Sequence, residues 1–238
     1  MKPQLIIFDM DGLLLDTEQL AARAHLEAAK QLHLNFNFEN YCDLIGVNHA
    51  LGRKILAKAI GSENVDAFLD LSRTLNLKIE KEEGIGVKPG VKEILDYCDA
   101  EKIPRRVATS TGRKRATRRL KKTGIYERID GLVCGDEVKN AKPHPEIFLK
   151  ALGDDVEPAK ALIFEDSYNG LKAAKAAGIP VICIPDLLPA RDDLEAEAVL
   201  SSLHEAIPYL EKRKTKPVEA GPLQSPHDWI LFCSNLLD

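Results

Sequence analysis

Two pairs of acidic residues have the side-chain chemistry to bind a metal ion. Asp9 and Asp11 lie two residues apart in a DMDG segment, and Glu165 and Asp166 are adjacent much farther along the chain. Carboxylate oxygens are hard ligands that suit Mg²⁺, and four ionised carboxylates gathered in one place require a cation. Either pair alone is also typical of an acidic turn or of the start of a helix. Together they predict a magnesium site that uses all four residues.

Other residues of the chain carry hydroxyl and ammonium groups that can bind phosphate. Thr109 and Ser110 lie at a predicted turn between a strand and a helix, where hydroxyl and backbone N–H groups can donate hydrogen bonds to phosphoryl oxygens. Lys142 lies in a proline-containing AKPHP loop, where its ammonium could meet a phosphate and keep a neighbouring carboxylate ionised. The alternatives are helix capping for the hydroxyls and a solvated charge for the lysine.

The elements that position these residues are short apolar runs separated by helix-like segments. The runs at 5–8, 107–110, 132–134, 161–164 and 181–184 predict buried strands, and helices are expected at 91–100, 114–122, 146–152 and 168–177. This alternation predicts an α/β fold with a doubly wound, Rossmann-like parallel sheet. The acids and hydroxyls follow the strands directly, at the carboxyl edge where ligands bind in such sheets.

One long segment breaks the alternation of strands and helices. Residues 18–83 carry helix-period patterns and no clear strand, and glycine and proline residues follow at 84–90. We therefore predict a core of residues 1–16 and 88–212 and an inserted, small all-helical cap domain with hinge linkers at 17–87. A C-terminal extension at 213–238 contains Trp229 in an apolar patch and is expected to be largely disordered.

Composition limits the classes of partner. The 238 residues carry a formal net charge of -4, which does not suggest general binding to nucleic acid or anionic membranes. No apolar stretch approaches a membrane span, so no membrane partner is expected. The five cysteines are scattered without metal-ligand spacing, which is typical of reduced thiols in the cytoplasm.

Four motifs together resemble those of the haloacid dehalogenase superfamily. They are DMDGLLLDT, VATST, AKPHPEIF and FEDSYNGLKAAKAAG, in the family's order. The helical insertion resembles the cap of the beta-phosphoglucomutase-like subfamily. The resemblance implies that Asp9 is the nucleophile and Asp11 the general acid and base. It also implies that Thr109 and Lys142 neutralise the phosphoryl oxygens. The implied Mg²⁺ ligands are the Asp9 side chain, the Asp11 carbonyl, Asp166 and Glu165.

The resemblance leaves more than one reaction open. Asp11 favours phosphoryl transfer over dehalogenation, because a leaving halide needs no proton. The cap loop shares Gly46 with the family, but Asn48 and His49 stand where beta-phosphoglucomutases have a phosphate-binding arginine. We therefore predict a magnesium-dependent phosphatase that hydrolyses a small phosphorylated metabolite, such as a sugar phosphate, through an aspartyl-phosphate on Asp9. The alternatives are a sugar phosphomutase and a non-catalytic metal-binding or regulatory module.

Further residues are candidates for contacts with the substrate: Glu18, Gly46, Asn48, His49 and Arg113. Glu18 could bond a sugar hydroxyl or simply stabilise the first turn of a helix. The basic stretch 105–122 has three interpretations: a solvated helix face, steering of anionic substrates, or nucleic-acid binding. No aromatic residues interleave with its charges, which argues against stacking on bases. We expect a monomer whose partner is a small phosphorylated metabolite.

Overall fold

The computed structural model describes residues 2–47, 49–188 and 196–215, except for the side chains of His49 and Thr215. Within these residues the strands are β1 (Leu5–Phe8), β2 (Leu15–Asp16), β3 (Gly86–Val87), β4 (Arg105–Thr109), β5 (Gly131–Cys134), β6 (Ala161–Glu165), β7 (Val181–Cys183) and β8 (Ala198–Val199). Six of them form a parallel sheet in the order β5-β4-β1-β6-β7-β8. The predicted doubly wound sheet is confirmed, with β8 as an addition that the sequence did not indicate.

The helices connect these strands and build the insertion. They are α1 (Glu18–Gln31), α2 (Phe38–Cys42), α3 (His49–Ile60), α4 (Val65–Glu82), α5 (Val91–Glu101), α6 (Arg113–Lys122), α7 (Glu146–Leu152), α8 (Tyr168–Ala176) and α9 (Leu203–Thr215). Helix α9 enters the predicted C-terminal extension, and the remainder of that extension, with Trp229, lies outside the described residues.

The central strands are apolar because both faces of the sheet are covered. Ile6 and Phe8 of β1 point to one face, where they join a buried cluster with residues of α5, α6 and α9. Leu5 and Ile7 point to the other face, against α7 and α8. Burial of successive side chains on opposite faces gives continuous apolar runs rather than alternation with polar residues. The rigid sheet that results fixes the residues at its carboxyl edge.

The insertion is all-helical in its described residues and has its own apolar core. Helices α1 and α4 pack against each other in this core, and Phe68 of α4 is fully buried there. The His25 ring of α1 packs edge-on against Phe68 and Tyr41, with ring centroids 5.4 Å and 5.3 Å away. Strands β2 and β3 pair antiparallel where the chain leaves and re-enters the core. This small ribbon was not predicted, and it joins both linkers of the insertion.

Helix α4 also has a buried polar stripe. Val65 and Phe68 begin its buried face, and Ser72, Asn76 and Glu80 continue that face at four-residue spacing with exposed fractions of 2%, 5% and 1%. The stripe faces α6 of the core, as shown by the bond from Arg115 Nη2 to Asn76 Oδ1 of 2.9 Å. The interface between the insertion and the sheet domain is therefore polar, although it is buried.

No helix in the described part of the chain has both the length and the hydropathy to cross a membrane. Four cysteines lie in this part, at Cys42, Cys98, Cys134 and Cys183, and all four are free thiols.

Candidate active site

A buried lysine joins two of the predicted acids. Asp9 follows β1, Glu165 ends β6, and Lys142 comes from the loop between β5 and α7. Lys142 Nζ donates to Asp9 Oδ1 at 2.5 Å and to Glu165 Oε1 at 2.6 Å, and the three side chains are less than a tenth exposed. Burial opposes the charge on Lys142, but the two carboxylates outweigh it and raise the lysine pKa. Lys142 is therefore a fixed cation at the base of the site.

The acidic cluster fits a divalent cation. Oxygen atoms of Asp9, Glu165 and Asp166 lie within 4.8 Å of one another. Burial raises the pKa of Asp9 to about 7, although Lys142 opposes the shift. Burial, followed by the charges of Glu165 and Asp9, raises the pKa of Asp166 well above its usual value. Desolvated acids that repel one another are stabilised in their ionised form by a bound cation.

The three acids are not equally available to a metal ion. The Glu165 carboxylate accepts hydrogen bonds from the Ser167 backbone N–H at 2.6 Å and the Ser167 hydroxyl at 3.0 Å, besides its bond with Lys142. Asp166 lies against Gly12, where an added Cβ would stand 2.3 Å from Asp166 Oδ2. Gly12 also has a φ of +86°, which L side chains rarely adopt. The absence of a side chain at Gly12 therefore leaves space for the Asp166 carboxylate.

Asp11 is held by four donors. Its Oδ1 accepts from Thr17 Oγ1 at 2.7 Å and from Arg119 Nη1 at 2.5 Å. Its Oδ2 accepts from the hydroxyls of Thr111 at 2.7 Å and Thr109 at 3.2 Å. The donors come from the start of α1, from the loop after β4 and from α6. The Asp11 side chain thus lies where the start of α1, the sheet edge and α6 meet.

The loop after β4 presents hydroxyl groups to the site. Thr109 is 1% exposed, and its Oγ1 accepts from the Thr111 backbone N–H at 3.0 Å. Ser110 is exposed at the entrance. The loop packs closely on Gly135 at the end of β5, where an added Cβ would stand 2.1 Å from the Ser110 carbonyl oxygen. This contact fixes the end of β4 and the loop after it, which carry the predicted phosphate-binding groups, the Thr109 hydroxyl and the Ser110 backbone N–H.

A cavity of about 600 Å³ lies between the sheet edge and the insertion. Most of the predicted site residues line it together: Asp9, Asp11, Glu18, Gly46, Thr109, Ser110, Lys142 and Asp166. Glu18 accepts a hydrogen bond from the Tyr41 hydroxyl at 2.7 Å, and burial raises its pKa. Glu165 supports the cavity from behind through its contact with Lys142.

Three of the predicted substrate contacts are not placed in the cavity. The Arg113 guanidinium pairs with Glu137 at 2.6 Å and with the Leu132 carbonyl oxygen at 2.6 Å, away from the cavity wall. Asn48 lies outside the described residues, and His49 begins α3 with a side chain that is likewise outside them. Both remain predictions from the sequence.

Several residues of the site were not singled out from the sequence. They are Thr17 and Arg119 around Asp11, and Ser72, Arg73, Asn76 and Arg115 on the cavity wall. One available signal was the spacing on α4, because a helix face that begins with buried apolar residues and continues with polar ones indicates a polar interface. Arg115 and Arg119 carried no such signal, because they belong to an evenly basic run.

The fold and the acidic cluster at the ends of its strands agree with the resemblance found in the motifs. Residues 6–184 match the family described as haloacid dehalogenase-like hydrolases, and the chain belongs to this family.

Relatives of known description align over most of the chain. The phosphorylated carbohydrates phosphatase of Thermotoga maritima is 35% identical over 201 residues, which cover 82% of this chain and 92% of that protein. Protein CbbY of Rhodobacter capsulatus is 34% identical over 212 residues, with 82% and 91% covered. The crystal structure of CbbY from Rhodobacter sphaeroides in complex with phosphate superposes with a TM-score of 0.71 at 28% identity, covering 85% of this chain and 96% of that one.

Proposed function

We propose that this chain is a magnesium-dependent phosphatase that hydrolyses a phosphate monoester of a small metabolite, with sugar phosphates as the substrate class. The observation that carries the proposal is the presence of both Asp9 and Asp11 in one cavity with Lys142 and Asp166. The family membership and the relative named as a phosphorylated carbohydrates phosphatase support the same reaction.

In the first half of the proposed reaction, Asp9 attacks the phosphorus atom and becomes an aspartyl-phosphate. Lys142, which bonds Asp9 Oδ1, favours the ionised form of the nucleophile and partly neutralises the phosphoryl oxygens. Ser110 and Thr109 stand on the same cavity wall to bind those oxygens. Asp11 donates a proton to the leaving oxygen as its bond to phosphorus breaks, so that the product leaves as an alcohol.

In the second half, Asp11 accepts a proton from the water that attacks the aspartyl-phosphate, which returns Asp9 and releases inorganic phosphate. We propose that Mg²⁺ is held by Asp9, Asp166 and the Asp11 carbonyl, with Glu165 behind them. When bound, the ion would shield the negative charge that otherwise repels nucleophile from phosphate. The raised pKa values of Asp9 and Asp166 support this assignment, since both acids are desolvated without a cation.

The cavity lining contributed by α4 and α6 supports a polar leaving group. Ser72, Asn76 and Arg115 line this part of the cavity with polar side chains. Polar side chains in a cavity suit the hydroxyl groups of a sugar. We propose that residues 17–87 act as a cap that closes over the core of residues 1–16 and 88–212. The monomeric state and the cytoplasmic location stay predictions.

A sugar phosphomutase is the second candidate. Asn48 and His49 do not supply the cation that a second phosphate would need, but Arg73 of α4 lines the cavity on the cap side. It forms no ion pair with any described residue. Arg73 could therefore hold the far phosphate of a sugar bisphosphate intermediate.

The test is phosphate release from a panel of sugar phosphates with and without Mg²⁺, for the wild type, Asp9→Asn and Asp11→Asn. Asp136→Asn is the matched control, because Asp136 also follows a strand of the sheet but does not line the cavity. We expect magnesium-dependent release that both site variants lose and the control keeps. Conversion of glucose 1-phosphate to glucose 6-phosphate without release would replace the phosphatase by the mutase. Silence in both assays would favour the regulatory module.

A further inference from the structure

We propose that Arg119 is a positioning residue for Asp11, and that Glu80 of α4 makes this positioning depend on docking of the cap. This inference rests on the proposed phosphatase reaction. It concerns an arginine that belongs to the basic stretch and was not assigned a role there.

Arg119 bonds the acid of the core and the acid of the cap with one side chain. Its Nη1 donates to Asp11 Oδ1 at 2.5 Å, while its Nε and Nη2 donate to Glu80 Oε1 at 3.0 Å and 2.5 Å. The residue is 3% exposed, so water does not replace either partner. A guanidinium is planar and rigid, and fixing one edge on Glu80 therefore fixes the direction of the other edge toward Asp11.

The two oxygens of the Asp11 carboxylate face different kinds of hydrogen-bond partner. Oδ1 faces Arg119, which can only donate, whereas Oδ2 faces the hydroxyls of Thr109 and Thr111, which can donate or accept. A proton on Oδ2 is thus compatible with the contact to Arg119. Arg119 can hold the carboxyl in one orientation both before and after the proton moves.

Glu80 comes from the cap and is the only acid in this contact set besides Asp11. Its carboxylate also accepts from Arg115 at 3.1 Å and from Arg118 at 2.5 Å, and it is 1% exposed. Displacement of α4 would take Glu80 away and leave Arg119 with Asp11 alone. The orientation of the guanidinium is fixed from both sides only while the cap is docked. Asp11 is then held in place when the substrate is enclosed.

An ordinary ion pair that merely stabilises the interface makes a different kinetic prediction. Loss of interface stability lowers turnover of every substrate alike. Loss of Asp11 positioning instead affects the step that needs its proton, which is departure of an alkoxide from phosphorus. A nitrophenolate leaves without a proton, so its phosphate ester is insensitive to that step. The ratio of kcat/KM for the best sugar phosphate to kcat/KM for p-nitrophenyl phosphate separates the two explanations.

The experiment measures this ratio for the wild type, Arg119→Gln, Glu80→Gln and the double variant, with Arg118→Gln as control. Arg118 pairs with Glu80 but is not among the four donors to Asp11, and it does not line the cavity. We expect Arg119→Gln to lower the ratio about a hundredfold, the size of effect that follows from misplacing a catalytic group. Glu80→Gln should lower it in the same direction, and the double variant no further than Arg119→Gln alone. Arg118→Gln should leave it within about threefold.

Each result decides a separate point. An active wild type whose variants lose both activities equally would overturn the positioning role and leave the phosphatase intact. A Glu80→Gln ratio equal to that of the wild type would overturn the dependence on the cap. A wild type that releases phosphate from neither substrate would overturn the proposed function, and the positioning role with it.

Discussion

Replacing Glu80 by Gln should destabilise the protein by about 2 to 4 kcal/mol, because Glu80 is the buried acid that balances Arg119. Removing one member of a buried ion pair typically costs about 3 to 5 kcal/mol, since the remaining charge stays desolvated. Two corrections reduce the cost here. The amide oxygen of Gln still accepts a hydrogen bond, and the side chains of Arg115 and Arg118 are 38% and 41% exposed, so water can solvate them.

The assay is urea unfolding followed by far-ultraviolet circular dichroism, with the midpoint and slope compared between variants. Arg118→Gln is the control, and it should cost less than about 1 kcal/mol, because the Arg118 side chain is 41% exposed and Glu80 keeps Arg119 as a partner. A midpoint for Glu80→Gln that matches this control would refute the assignment of Glu80 as the charge that holds the interface.

The pH dependence gives an independent check on the same residue. Burial opposes ionisation of Glu80, but the hydrogen bonds and charges of Arg119 and Arg115 outweigh it and place its pKa below the usual 4.5. A lowered folded-state pKa contributes stability that is present above pH 4.5 and is lost as the pH falls through the folded value. The stability difference between the wild type and Glu80→Gln should therefore be constant near neutrality and shrink below pH 4.5. A difference that persists unchanged in acid would contradict the ion-pair explanation.

Three further predictions follow from the site and the cap. Addition of Mg²⁺ should raise the melting temperature more at about pH 8 than at about pH 6, because the ion displaces protons from Asp9 and Asp166, whose pKa values are raised; equal shifts at both pH values would contradict this. Burial lowers the pKa of His25 below 6.5, so the wild type should lose stability as the pH falls below that value while His25→Phe does not, as measured by thermal melts across this range. Ser72→Ala should change stability by less than about 1 kcal/mol in thermal melts, because the buried hydroxyl has no hydrogen-bond partner among the described residues; a larger loss would contradict this.

The sequence predicted the sheet edge well because both physical signals there are local. A strand buried on two faces must be apolar throughout, and the sequence at 5–8 and 161–164 shows this pattern. The carboxyl ends of parallel strands meet at one edge of the sheet, which predicts that the acids after these two strands lie close together. Lys142 was predicted as an anion-binding lysine, and the structure places it beside Asp9. The short strands β2, β3 and β8 escaped because two residues give no detectable period.

The polar interface between α4 and α6 could not be predicted, because the residues that form it lie far apart in the sequence and neither stands out alone. Arg119 is one of several basic residues in its helix, and only the packing of α4 distinguishes it as the buried one. Glu80 is equally inconspicuous in a charged stretch near the end of α4. The two become informative only as a pair separated by 39 residues. None of the three interpretations of the basic stretch included this contact, in which three of its arginines pair with Glu80 of α4.

A buried polar interface also suits the cap opening that we propose. Apolar residues of similar volume would often stabilise contact between two helices as much as buried ion pairs do, or more. The reason is that the cost of desolvating buried charges offsets much of their mutual attraction. An apolar interface, however, would expose its surface to water whenever the cap moved. The charged and amide groups of α4 and α6 are well solvated by water when the two helices are apart. When the helices are together, these groups satisfy one another's hydrogen bonds in one docked geometry. Their contribution is therefore to the specificity of docking, and Arg119 transmits that specificity to Asp11.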